Sequence, residues 1–140
     1  MGRRILVRLL VLTSEPVSAD QLRAALPGDA DPTDAEVMVV APALQESALR
    51  FWMSDADTAI ARAEEVRTES VAKLGDAGVA ASGDTGESDP ETAIEDALKT
   101  FPADRIVVFT HDGDEQRYRE DVDAEALQSR FGVPVTRSTL

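Results

Sequence analysis

The chain of 140 residues contains no cysteine, two lysines, one histidine and few aromatic side chains (4%). The absence of cysteine excludes disulfides, thiolate zinc sites, iron–sulfur clusters and a cysteine nucleophile. The length is that of a single domain, which buries roughly 68–70% of the surface that its unfolded chain exposes. Folding therefore requires neither a disulfide nor a structural metal.

Positive charge is also scarce. Acidic residues number 27 against 14 basic ones, and the net charge is −13. Such a surface repels nucleic acid and anionic membranes, so neither is an expected partner. Many carboxylates with almost no lysine favour a halophilic source, because salt in the cytoplasm screens their repulsion. A GC-rich genome, which favours Ala, Asp and Arg over Lys, is the alternative explanation.

The apolar run at residues 5–12 looks like a signal peptide only superficially. Arg8 interrupts it, and no small-residue cleavage site follows. It is also too short to span a bilayer, and no other segment approaches transmembrane length. A buried strand explains the run better, and the sequence therefore predicts a cytoplasmic protein.

Apolar runs that are typical of buried strands alternate with helical patterns along the whole chain. Ser18 and Gln21 have the spacing of a capping box at the first helix. Asp89 and Pro90 are typical of the cap and first turn of the third. The predicted strands cover residues 4–13, 36–40, 79–83, 105–110 and 133–137. This order predicts one α/β domain over residues 1–140, with helices on both faces of a doubly wound, five-stranded parallel sheet.

The apolar spacing also predicts which helix residues are buried. In a long helix that begins at about residue 54, the predicted inner face comprises Ile60, Ala63, Val66 and Leu74. The last helix is predicted to start between about 114 and 121, with Val122, Leu127 and Phe131 on its inner face.

Residues 83–110 carry a pattern that narrows the choice among doubly wound folds. A strand ends in Gly83-Asp84, the next helix carries Ile94, and Ala103-Asp104 precedes another buried strand. Near the C-terminus, Pro134-Val135 opens the last strand. In this order the segments resemble the universal stress protein superfamily.

The resemblance implies a three-layer fold with strand order 3-2-1-4-5, and a homodimer formed through the last strand, from Val133 to Arg137. Nucleotide-binding members carry Gly-x2-Gly-x9-Gly-Ser/Thr after the fourth strand, but here only Gly113 precedes Gly132. An acidic stretch at 112–123 takes its place and would repel a triphosphate. The family's adenine-contacting aspartate after the first strand is also absent. We therefore expect no micromolar binding of ATP and no cofactor.

A ligand in such a fold binds outside the carboxyl ends of the strands, where the strand order reverses. With the implied order, that crevice lies between the first and fourth strands. The candidate ligand-binding residues there are Thr13, Ser14, Asp84, Thr110 and His111. His111, the only histidine, suits a ligand contact or a general base, but it also suits a loop residue that bonds the backbone. Thr13 and Ser14 either contact a ligand or form the turn after the strand.

Two other groups of residues invite a functional interpretation. Phe51, Trp52 and Met53 form either a lid over the sheet end or a dimer contact or pocket wall. The acidic residues at 112–123 lack the spacing of a calcium loop, so we expect a solvated surface and no metal site. A Ser-His-Asp triad drawn from Ser14, His111 and Asp84 has no nucleophile elbow to support it.

Three functions are compatible with this alternating order of strands and helices. The first is a non-enzymatic association or stress-response module, and the second is a small-ligand sensor that uses the crevice. The third, a phosphoacceptor receiver domain, is rejected because the acidic pair after the first strand is missing and the lysines, Lys73 and Lys99, lie in predicted helices.

Overall fold

A computed structural model of the protein describes residues 7–26, 32–42, 56–86, 90–110 and 124–139. The strands are β1 (Val7–Thr13), β2 (Ala35–Pro42), β3 (Ala80–Gly86), β4 (Arg105–Thr110) and β5 (Val135–Thr139). The helices are α1 (Ala19–Ala25), α2 (Ala56–Asp76), α3 (Pro90–Thr100) and α4 (Ala124–Phe131), and a 3-10 turn spans Pro32–Asp34. All strand pairs are parallel, in the order β3-β2-β1-β4-β5. The predicted sheet and its strand order are confirmed.

Different helices cover the two faces of the sheet. Successive side chains of a strand point to opposite faces, so Leu9 and Leu10 of β1 belong to separate apolar cores. The first core lies under α1 and α2, and the second lies under α3 and α4. The fully buried helix side chains in the two cores are Leu22, Leu74, Ile94 and Leu127. Burial of each contributes about 1.5–3 kcal/mol, and the result is a three-layer α/β fold.

The first helix begins where the sequence predicts. The Gln21 amide donates to Ser18 Oγ (3.3 Å), and the Ser18 amide donates to Gln21 Oε1 (2.9 Å). This capping box satisfies two amides that an α-helix leaves without partners at its start. The predicted box is confirmed.

The buried face of α2 is confirmed except at one position. Ala63, Val66 and Leu74 are buried, but Ile60 is 45% exposed, so the prediction for Ile60 is wrong. Ala63 and Val66 pack on Ala41, next to the last residue of β2. One turn earlier, Ile60 therefore lies beyond the end of the strand. No helix in the described ranges is long and apolar enough to cross a membrane.

Two strands end later than the sequence predicts. β3 continues through Asp84 to Gly86 because these residues pair with the last residues of β2, so the predicted end of this strand at residue 83 is wrong. β5 covers 135–139 instead of 133–137, since Gly132 turns the chain at φ +69° and Pro134 has no amide for a ladder. The predicted start of the last helix lies outside the described residues.

Asp104 joins the starts of β1 and β4. Its amide donates to the Arg8 carbonyl (2.8 Å), and its carboxylate accepts from the Arg8 amide (2.9 Å). A carboxylate that accepts from a backbone amide extends the ladder by one step before β4 begins at Arg105. The aspartate of the Ala103-Asp104 pair thus aligns the two central strands.

Candidate functional site

The carboxyl ends of β1 and β4 lie side by side. At this point the helical connections change from one face of the sheet to the other. Thr13, the last residue of β1, pairs with Phe109, the penultimate residue of β4. The crossovers through α1 and α2 lie on one face, and those through α3 and α4 lie on the other. This is the geometry at which doubly wound sheets open a crevice for ligands. Thr13 and the backbone of Thr110 lie at the carboxyl ends of these two strands.

Thr13 is 1% exposed, and its hydroxyl bonds to the turn that follows it. The hydroxyl donates to the Glu15 carbonyl (2.7 Å) and accepts from the Glu15 amide (3.2 Å). This local pattern is typical of Thr and Ser side chains that shape turns. Ser14 beside it is also buried. The geometry therefore fits the turn-forming role, which is one of the two interpretations predicted for Thr13.

The loop between β1 and α1 is attached to α2 by two contacts. The Glu15 carboxylate forms an ion pair with the Arg62 guanidinium, which also lies 3.7 Å from the Glu65 carboxylate. Two residues further on, the Val17 amide donates to Ser70 Oγ (3.1 Å). The Ser70 and Val17 side chains are completely buried. The loop that follows β1 is therefore fixed to the neighbouring helix.

Arg62 and Ser70 are residues that the sequence reasoning missed. Ser70 lies 53 positions from its partner, so no local motif connects the two. One signal was present: Ser70 falls on the same apolar stripe as Ala63, Val66 and Leu74. A polar residue on such a stripe is buried and needs a hydrogen-bond partner.

Asp84 lies apart from Thr13. Val40 of β2 pairs with both Leu12 and Asp84, so these residues share the face of α3 and α4. Thr13 shares the opposite face with Val11, and β2 separates the two strands by about 10 Å. The Asp84 side chain is exposed and accepts from the Thr85 amide (2.8 Å). Its observed contact is local.

The other predicted site residues lie outside what the structure describes. These are His111, the side chain of Thr110, and Phe51, Trp52 and Met53. Among the described residues, no group of three or more His, Asp or Glu side chains is arranged to hold a metal ion.

The outer edge of β5 is a second candidate surface. The Pro134 carbonyl accepts from the Ile106 amide of β4 (2.9 Å), whereas the Val135 amide points away from β4 and donates to Gln128 Oε1 of α4 (3.1 Å). Backbone groups alternate in direction along a strand. Val135, Arg137 and Thr139 therefore direct their amides and carbonyls outward.

The comparisons with known proteins assign no family. No protein-family model matches the chain, and no curated protein matches it significantly.

Proposed function

We propose that the protein is a non-enzymatic association module that acts in the cytoplasm as a homodimer, joined through the β5 strands of its two copies. The resemblance to universal stress proteins motivates this expectation. The observation that carries the proposal is the place of β5, which is last in the strand order and has β4 on one side. The outward backbone groups of an edge strand are a template for pairing with another chain.

The residue order of β5 suits pairing with itself. When two copies pair antiparallel about a twofold axis at Arg137, Val135 of one copy lies opposite Thr139 of the other. Val135, Arg137 and Thr139 direct their backbone groups outward. In this register each outward amide of one copy therefore lies opposite an outward carbonyl of the other. Thr136 then lies opposite Ser138, a favourable cross-strand pair. Arg137 of one copy lies opposite Arg137 of the other, and this like-charge contact weakens the expected dimer.

The contacts at the end of β1 support association over ligand sensing. The Thr13 hydroxyl and the Val17 amide already bond within the chain, and the Glu15 carboxylate already pairs with Arg62. A ligand that used these groups has to displace those contacts first. Pairing at the β5 edge uses backbone groups that already point away from β4.

Sedimentation velocity over a range of protein concentrations tests the proposal. We expect a monomer–dimer equilibrium, with dissociation in the micromolar range because a single strand pair is a small interface. Arg137→Pro removes an outward amide while leaving the β4–β5 bonds in place, since proline is tolerated on the outer side of edge strands. This variant is expected to be monomeric at concentrations where the wild type is dimeric.

Arg137→Thr is the matched control. It removes the same side chain but keeps the amide, and loss of the like-charge contact should tighten the dimer by about two- to fivefold. Thermal unfolding of both variants checks that the fold is intact. A wild type that is monomeric at all concentrations, or a folded Arg137→Pro variant that dimerises normally, contradicts the proposal.

A further inference from the structure

Gln128 lies beside the outer edge of β5 and occupies one of the backbone amides that a pairing strand would need. The Gln128 side chain is exposed on α4. Its Oε1 accepts a hydrogen bond from the Val135 amide (3.1 Å), the first outward amide of β5. The full-length pairing described above needs the same amide as a donor to Thr139 of the other copy. The two hydrogen bonds compete for one N–H, because a backbone amide carries a single hydrogen.

We propose that Gln128 is an intramolecular cap on the β5 edge, which must leave the Val135 amide before the edge can pair along its full length. This inference rests on the proposed function, because it concerns regulation of the same edge. Native proteins protect edge strands from uncontrolled pairing by covering or blunting them. Here the cover is one side chain from the helix that precedes the strand. A side-chain cap on an exposed amide is a weak bond that water can replace, so the edge is protected without being closed.

The cap also affects the register of pairing. A dimer that keeps both caps pairs only through Arg137 and Thr139, which places Arg137 opposite Thr139 instead of opposite itself. A dimer that releases both caps gains the Val135 pairs at each end of the ladder. Because the twofold axis repeats every contact, removal of the cap acts twice in each dimer.

Gln128→Ala tests the inference by sedimentation velocity. Because it frees the Val135 amide in both copies, the dimer dissociation constant is expected to fall by about three- to tenfold. Gln128→Glu keeps an acceptor at the same reach, so its dimer should be no tighter than that of the wild type. Ser129→Ala, an exposed position on the same helix, controls for general effects on α4 and should leave the dissociation constant unchanged.

Amide hydrogen exchange of Val135 gives a readout that is independent of association. At concentrations where the protein is monomeric, this amide should exchange faster in Gln128→Ala than in the wild type, and dimerisation should protect it again. If the wild type dimerises and Gln128→Ala is no tighter, the cap is refuted and the proposed dimer stands. If neither protein dimerises at any concentration, both proposals fail.

Discussion

At the scale of single residues, Ser70 is a completely buried polar side chain that joins α2 to the loop after β1. Its hydroxyl is the acceptor for the Val17 amide inside the first core. Ser70→Ala leaves that amide buried without a partner, which costs about 1–3 kcal/mol. We expect the free energy of unfolding in urea to fall by that amount, with an unchanged m-value.

Ser129→Ala is the matched control for this change, because it makes the same substitution at an exposed helix position. Alanine is the better helix former, so this variant should be as stable as the wild type or more stable by up to about 0.5 kcal/mol. The Glu15–Arg62 ion pair, whose side chains are 25% and 40% exposed, should contribute less than Ser70, about 0–1 kcal/mol. Equal stabilities of Ser70→Ala and Ser129→Ala would show that the Val17 amide finds another partner.

At the scale of elements, the packing of α2 on β3 depends on the absence of a side chain at Gly83. A Cβ there would lie 2.5 Å from Arg67 Cγ and 2.9 Å from Val71 Cγ2. Gly83→Ala should therefore push α2 away from the sheet and cost about 1–3 kcal/mol in urea unfolding. Gly75→Ala, at a helical position with no atom within 4 Å of the new Cβ, should instead stabilise by about 0.4–1 kcal/mol. A Gly83→Ala protein as stable as the wild type would mean that α2 shifts without loss.

The strands also show which parts of the fold can be predicted from the sequence. Strand existence was predictable at β1 and β4, because long β-branched runs have few alternatives in a soluble chain. The end of β3 was not, since Asp84 and Gly86 are turn residues by composition and extend the strand only because β2 pairs with them. The same limit applies to the site. Thr13 is predictable from its place at the end of β1. Arg62 and Ser70 reach the loop after β1 only because the chain folds, since they contact Glu15 and Val17.

At the scale of the whole molecule, the net charge of −13 is the dominant feature. Exposed carboxylates repel one another over a Debye length of about 10 Å at 0.1 M salt and about 3 Å at 1 M. If the surface suits a salt-rich cytoplasm, the melting temperature should rise by at least about 5 °C between low and molar KCl, which corresponds to about 1–2 kcal/mol. A flat response supports the GC-rich genome as the origin of the composition.

A charge variant separates screening from other effects of salt. Glu64 and Glu69 are exposed on the outer face of α2. Their joint replacement by Gln lowers the repulsion without touching the core, so the melting temperature at low salt should rise and the further gain on adding KCl should shrink. Because screening acts between exposed charges, most of the gain should appear below about 1 M, where the Debye length changes most. A gain that stays linear beyond that concentration and is the same in both proteins would assign the effect to solvent exclusion from the surface instead.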